Sequence, residues 1–153
     1  MNADYKKVIA RNKRATFDFF IEEEFEAGIS LQGSEVKSLR DGKCSIADSH
    51  AAIDGNEVFL HNCYIEEYDK ANRFNHDSRR PKKLLLHRSE IRKIIGKVRL
   101  KGYTLAALSV YFNKKNRAKI CLGLAKGKKQ HDKRQSIKEK DWKREQGRII
   151  RDK

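Results

Sequence analysis

The chain has 153 residues, the usual size of one domain able to enclose its own core. Lys and Arg number 36 against 21 Asp and Glu, a formal charge of +15, which exceeds what solubility requires and points to a polyanionic partner. No apolar stretch approaches the roughly 20 residues that span a bilayer, and Met1–Arg14 lacks a signal-peptide apolar segment. A cytoplasmic, nucleic-acid-binding protein with no membrane partner is therefore expected.

Phe25, Ala27, Ile29 and Leu31 alternate with Glu26, Gly28, Ser30 and Gln32, the two-residue period of a strand with one buried face. Phe17–Glu22 is expected to pair with it. A short helix follows over Ser34–Arg40, ended by Gly42. Apolar runs at Ser49–Ile53 and Val58–Leu60 predict two strands joined through Asp54, Gly55 and Asn56.

Glu66–Pro81 has little apolar periodicity and carries Arg73, Arg79 and Arg80, so a long surface loop is predicted. Leu84–Leu86 predicts another strand, and Ile91, Ile94, Ile95 and Val98 mark one face of a second helix, weakened by Gly96. The clearest hairpin joins Leu108, Val110 and Phe112 to Ala118, Ile120, Leu122 and Leu124 across Asn113–Asn116. About six strands and few helices predict a mainly β fold with short helices, an OB-like closed antiparallel barrel occupying residues 1–125.

Residues 126–153 change character, holding 12 Lys or Arg against 5 Asp or Glu. Apolar side chains there are chiefly Ile137, Trp142, Ile149 and Ile150, too few to offset the entropy of ordering. A basic tail, disordered when free, is expected. Ile137–Arg151 nevertheless contains good helix formers, so binding can turn it into a helix.

Catalytic and metal motifs are lacking. His50, His61, His76, His87 and His131 are scattered outside any nucleophile or hydrolase motif, so no enzymatic role is expected. His61, Cys63 and His76 do not complete four ligands, and no metal or other cofactor is predicted. Cys44, Cys63 and Cys121 are odd in number and widely spaced, which fits ordinary thiols. Glu22–Glu24 reads as a solvated edge.

The stretch Ala125–Lys129, AKGKK, puts Lys126, Lys128 and Lys129 around Gly127, whose backbone can approach phosphates closely. QHDKR follows. There His131 supplies a flat ring for stacking on an unpaired base, and Lys133 and Arg134 supply phosphate or base-edge contacts. Interleaving with Ile137 and Trp142 separates this tail from a featureless polylysine run.

Several motifs together, NKRA (12–15), FIEEEFEAGI (20–29), GSEVKSLRDGK (33–43), EVFLHN (57–62), KLLLHRSEI (83–91) and AKGKKQHDKR (125–134), resemble the small protein B family, the partners of transfer-messenger RNA in bacterial ribosome rescue. The resemblance runs from about Arg11 to Lys153. It implies an OB-type barrel that binds the tRNA-like domain and, with elongation factor Tu, escorts the aminoacylated RNA to stalled 70S ribosomes as a monomer. It implies an RNA surface including Asn12, Lys13, Glu26, Glu35 and Leu85.

The resemblance also implies that the tail enters the decoding centre and empty messenger channel of the small subunit as a helix. There Gly127, Lys128, Lys129, His131, Asp132, Lys133 and Arg134 would engage the ribosome. Ile137, Lys138, Trp142, Lys143, Arg144 and Arg148 would line the messenger path. Two rivals remain: a general tRNA- or ribosomal-RNA-binding OB protein, and a ribonuclease using His61 or His131 as acid and base.

Overall fold

A computed structural model of the chain describes residues 7–70, 75–100, 102–128 and 130–151, the last with side chains from Lys133 onward. Strand β1 (Lys7–Arg11) and the single turn α1 (Ala15–Asp18) lead into the long strand β2 (Phe19–Ile29). Helix α2 (Gly33–Arg40) precedes β3 (Cys44–Ser45), β4 (His50–Asp54), β5 (Glu57–His61), β6 (Tyr64–Ile65) and β7 (Lys82–Leu85). Helix α3 (Arg88–Val98), the hairpin β8 (Tyr103–Phe112) and β9 (Ala118–Gly127), and helix α4 (Gln130–Arg151) complete the order.

Seven strands form one antiparallel sheet, and two β–β contacts per strand carry the path from β8 through β4, β5, β7, β2 and β9 back to β8. Strand β1 is added outside this circuit, on β8, with a bulge between Val8 and Ala10. β3 and β6 make a separate two-stranded ladder. The architecture is mainly β with short helices, as the alternation in the sequence predicts.

Inward side chains of the circuit build the core: Phe25 and Ala27 from β2, Val58 and Leu60 from β5, Leu84 from β7, Leu105 and Val110 from β8, and Ile120, Leu122 and Leu124 from β9. Leu39 of α2 and Ile94 of α3 join the same cluster. Each fully buried Leu or Ile contributes about 1.5–3 kcal/mol. Turn chemistry falls where the sequence places it: Gly42 at φ 76° beyond α2, Gly55 at φ 61° between β4 and β5, and Asn116 at φ 56° in the β8–β9 connection. There the Asn113 side chain accepts from the amides of Lys115 and Arg117 at 3.0 and 2.9 Å.

Three expectations need revision. Phe17–Glu22 does not pair with the following segment: Phe19–Ile29 is one unbroken strand along β9, with a bulge between Ile21 and Glu23. The glutamate run contains no Gly, Asn or Pro to reverse the chain, so it absorbs its irregularity as a bulge. Strands β1, β3 and β6 exceed the expected six, since segments of two to five residues carry too little periodicity to be read.

The third revision concerns the tail expected to lack structure in the free chain. Gln130–Arg151 is instead a continuous helix of 22 residues. It needs no tertiary partner to satisfy its backbone, it contains no Pro, and its one Gly, Gly147, comes late.

A candidate RNA interface

Helix α1 rests on the outer face of the sheet through a second small cluster. Ala15, Ala106 and Ala125 are buried there, with Phe19, Ile21 and Leu108 packed around them. Small residues on β8 and β9 allow the close approach; a Cβ on Gly123 would meet Leu108 Cδ1 at 3.0 Å and Ile21 Cγ2 at 3.1 Å. The Asn12 amide donates to the Leu108 carbonyl at 2.8 Å, which fixes the loop carrying Asn12, Lys13 and Arg14 onto the sheet.

The same turn holds the root of α4. The Lys128 amide donates to the Asp18 carbonyl at 3.0 Å, and its Nζ donates to the Thr16 carbonyl at 3.0 Å and to Ser136 Oγ at 3.1 Å. That ammonium also lies 4.9 Å from the centre of the Phe20 ring. Asp18 pairs with Lys133 at 3.5 Å and with Arg14 at 3.8 Å. Lys126, paired in register with both Phe20 and Tyr103, has its Nζ 5.8 Å from the Tyr103 ring centre. Asn12, Lys13, Lys126, Gly127, Lys128 and Lys133 thus gather around one end of β2, β8 and β9. Lys129 lies outside the described residues.

Glu26 and Leu85 lie further along. Glu26 is exposed on β2, opposite Cys121 in register, and accepts a hydrogen bond from the Tyr111 hydroxyl. Burial, then the bond to Glu26, pushes the Tyr111 phenol well above its ordinary range, so it stays a donor. Leu85 is 55% exposed and pairs with Gly28; a Cβ on Gly28 would come within 3.2 Å of Leu85 Cβ. The glycine lets the leucine lean across β2, two residues from Glu26. Periodicity does not single out Tyr111, which falls between the alternating apolar residues Val110 and Phe112.

Glu35 differs from the other acidic position. It is 0% exposed, its Oε1 accepting from Arg80 Nη2 at 2.6 Å and from the Gln32 amide at 2.8 Å, with Lys82 Nζ 3.5 Å from Oε2. Lys82, also 0% exposed, donates to the carbonyls of Cys63 at 3.1 Å and Arg80 at 2.8 Å. Glu35 therefore does not stand on the surface with Asn12 and Glu26; it ties α2 to the end of the 66–81 loop. His76 secures the loop again, sharing hydrogen bonds with Ser34 Oγ at 2.8 Å and the Ile65 carbonyl at 2.9 Å. Asn72 and Arg73 lie outside the described residues.

Along α4, every residue from Ile137 to Arg151 is exposed, including Lys138, Lys143, Arg144 and Arg148. Trp142 is 61% and Ile150 75% exposed. His131 and Asp132 fall in the first turn of the helix, with side chains outside the described set; Arg134 is exposed in the next.

His61, Cys63 and His76 do not converge. His61 stacks on His50, Cys63 is buried in the core with Cys44 packed against it, and His76 is held as above. Among the described residues no group of three or more His, Cys, Asp or Glu is placed to hold a metal ion. Nor, among them, is any helix long and apolar enough to cross a membrane. Of the glutamate run, Glu23 pairs with Lys93 at 2.7 Å and Glu24 accepts from Cys121 Sγ at 3.6 Å.

Comparison with known proteins finds relatives along nearly the whole chain. An SsrA-binding protein of Rickettsia felis is 71% identical over 150 residues, covering 98% of this chain and 99% of its own length, and one of Rickettsia bellii matches equally. A solved chain described under "tmRNA-SmpB: a journey to the center of the bacterial ribosome" superimposes with a TM-score of 0.66 at 46% identity, over 83% of this chain and 92% of that one. The family description "SmpB protein" matches residues 9–152, and the chain belongs to the SmpB family.

Proposed function

We propose that this chain binds the tRNA-like domain of transfer-messenger RNA, travels with it and elongation factor Tu to stalled 70S ribosomes, and performs no catalytic step of its own. The observation that carries the reading is the match to SsrA-binding proteins along nearly the whole chain, barrel and tail alike. On this reading it acts in the cytoplasm as a monomer. The pairing circuit through β8, β4, β5, β7, β2 and β9 supports an OB-like closed barrel over residues 1–125.

The barrel's RNA surface runs from Asn12, Lys13 and Lys126–Lys129 to Glu26 and Leu85, with Glu35 acting indirectly by holding Arg80. Glu26 suits an RNA site because its carboxylate can accept from base amino groups or sugar hydroxyls. Residues 126–153 form the second unit. Their helix gains its packing only inside the ribosome, where His131, Asp132, Lys133 and Arg134 meet the decoding centre. Ile137, Lys138, Trp142, Lys143, Arg144 and Arg148 then follow the empty messenger channel.

Competition binding tests this. At about 0.15 M salt, where nonspecific phosphate contacts are weakened, a transcript of the tRNA-like domain is expected to displace labelled RNA at much lower concentration than tRNA or ribosomal-RNA hairpins. Equal displacement by all of them would assign the chain as a general RNA binder. Shortened RNA that persists with wild type and disappears with His131→Ala would assign it as a ribonuclease.

A further inference from the structure

His50 and His61 face each other across β4 and β5 in direct register, their rings 5.3 Å apart and 19° from parallel. Neither belongs to the core. His61 is half-buried, whereas His50 is exposed and forms one wall of a groove of about 230 Å³. Asn12, Arg14, Asp18, Asp48 and Thr104 also line it, so the groove opens beside the Asn12–Arg14 loop.

We propose that this groove is a pocket for one unpaired nucleobase, which stacks on His50 and extends the His61–His50 stack to three rings. The proposal rests on the RNA-binding reading above and adds to it a base-selective subsite that neither the charge pattern nor the family match assigns. His61 backs the platform, so His50 is held ready and little side-chain freedom is lost on binding.

The surrounding groups supply the rest of a nucleotide site. Among the described residues the side chains of Asn12 and Asp48 have no hydrogen-bond partner. The Asn12 amide can donate and accept along a base edge, and Asp48 can accept from an exocyclic amino or ring imino group. Arg14, with a side chain 84% exposed, can take the adjoining phosphate. Asp18 repels a phosphate little, since Arg14 and Lys133 already pair with it. An aromatic wall, an amide, a carboxylate and a guanidinium around a single cleft match how unpaired bases are read.

The test uses the full chain and a tRNA-like-domain transcript, with affinity measured at about 0.15 M salt and base reactivity mapped by dimethyl sulfate. His50→Ala is expected to weaken binding about 10-fold, the scale of one lost base–aromatic stack, and to expose one base that wild type protects. His50→Phe should stay within about 2-fold and keep the protection, because stacking needs only a flat ring. His61→Ala should show a smaller loss at the same base. Unchanged thermal melting of the variants would place any loss in binding rather than folding.

Wild-type affinity and protection in His50→Ala would overturn the pocket while leaving the RNA reading intact. So would a loss in His50→Phe equal to that in His50→Ala. No preference of wild type for the tRNA-like transcript would overturn the transfer-messenger RNA reading, and with it the pocket as a subsite for that RNA.

Discussion

The sheet circuit and helix α4 are stabilised by opposite means. In the circuit, Val58, Leu60, Leu105, Ile120, Leu122 and Leu124 are all at most 2% exposed, and burial of apolar area dominates the stability. In α4, Ile137, Trp142, Ile149 and Ile150 face outward, so its helix rests on backbone hydrogen bonds and propensity, with opposite charges such as Glu139 and Lys143 spaced four apart in the sequence. Such an i,i+4 pair contributes only about 0.2–0.5 kcal/mol, and an unpacked helix of this kind is marginal in water. Among the described residues, Lys128 ties its root by donating to the Thr16 carbonyl and to Ser136 Oγ, and Lys133 by pairing with Asp18. The comparison teaches that one chain carries a body stabilised by its own core and a helix whose apolar residues stay exposed.

Changes in the body should be costly. Glu35→Ala leaves Lys82 buried beside no carboxylate, and removal of one partner from a buried pair costs about 3–5 kcal/mol; the urea midpoint should fall accordingly. Leu122→Ala removes a side chain with no exposure and should cost about 2–5 kcal/mol through lost burial and the cavity left behind. The equivalent truncation in α4, Trp142→Ala, should shift the midpoint by less than about 0.5 kcal/mol while reducing peptide tagging on stalled ribosomes. A Trp142→Ala cost close to that of Leu122→Ala would erase the distinction between the two regions.

How legible each part was follows from the same contrast. Strands β8 and β9 could be read because Val110, Phe112, Ala118, Ile120, Leu122 and Leu124 alternate toward the core, whereas Leu108, at the β8 irregularity between Ala107 and Ser109, packs in the outer cluster instead. Phe19–Ile29 was misread at Glu22–Glu24, where a bulge interrupts the alternation that would have shown one strand. The helicity of α4 was visible only as propensity from Ile137 onward, since burial periodicity cannot report a stretch in which every residue is exposed. Among the proposed site residues, Asn12 and Lys13 rest on motif resemblance. The burial of Glu35 was not, because a carboxylate inside a protein depends on Arg80 and Lys82, 45 and 47 positions away. The His50–His61 stack needed the β4–β5 register, which no local pattern supplies.

Deleting Ile137–Lys153 and reading two quantities from the same preparation tests the separation most directly. Affinity for the tRNA-like transcript should stay within about 5-fold of wild type at about 0.15 M salt, where the lost tail charges matter little, while tagging on stalled ribosomes disappears. Tagging that survives the deletion, or RNA affinity that collapses with it, would contradict the account.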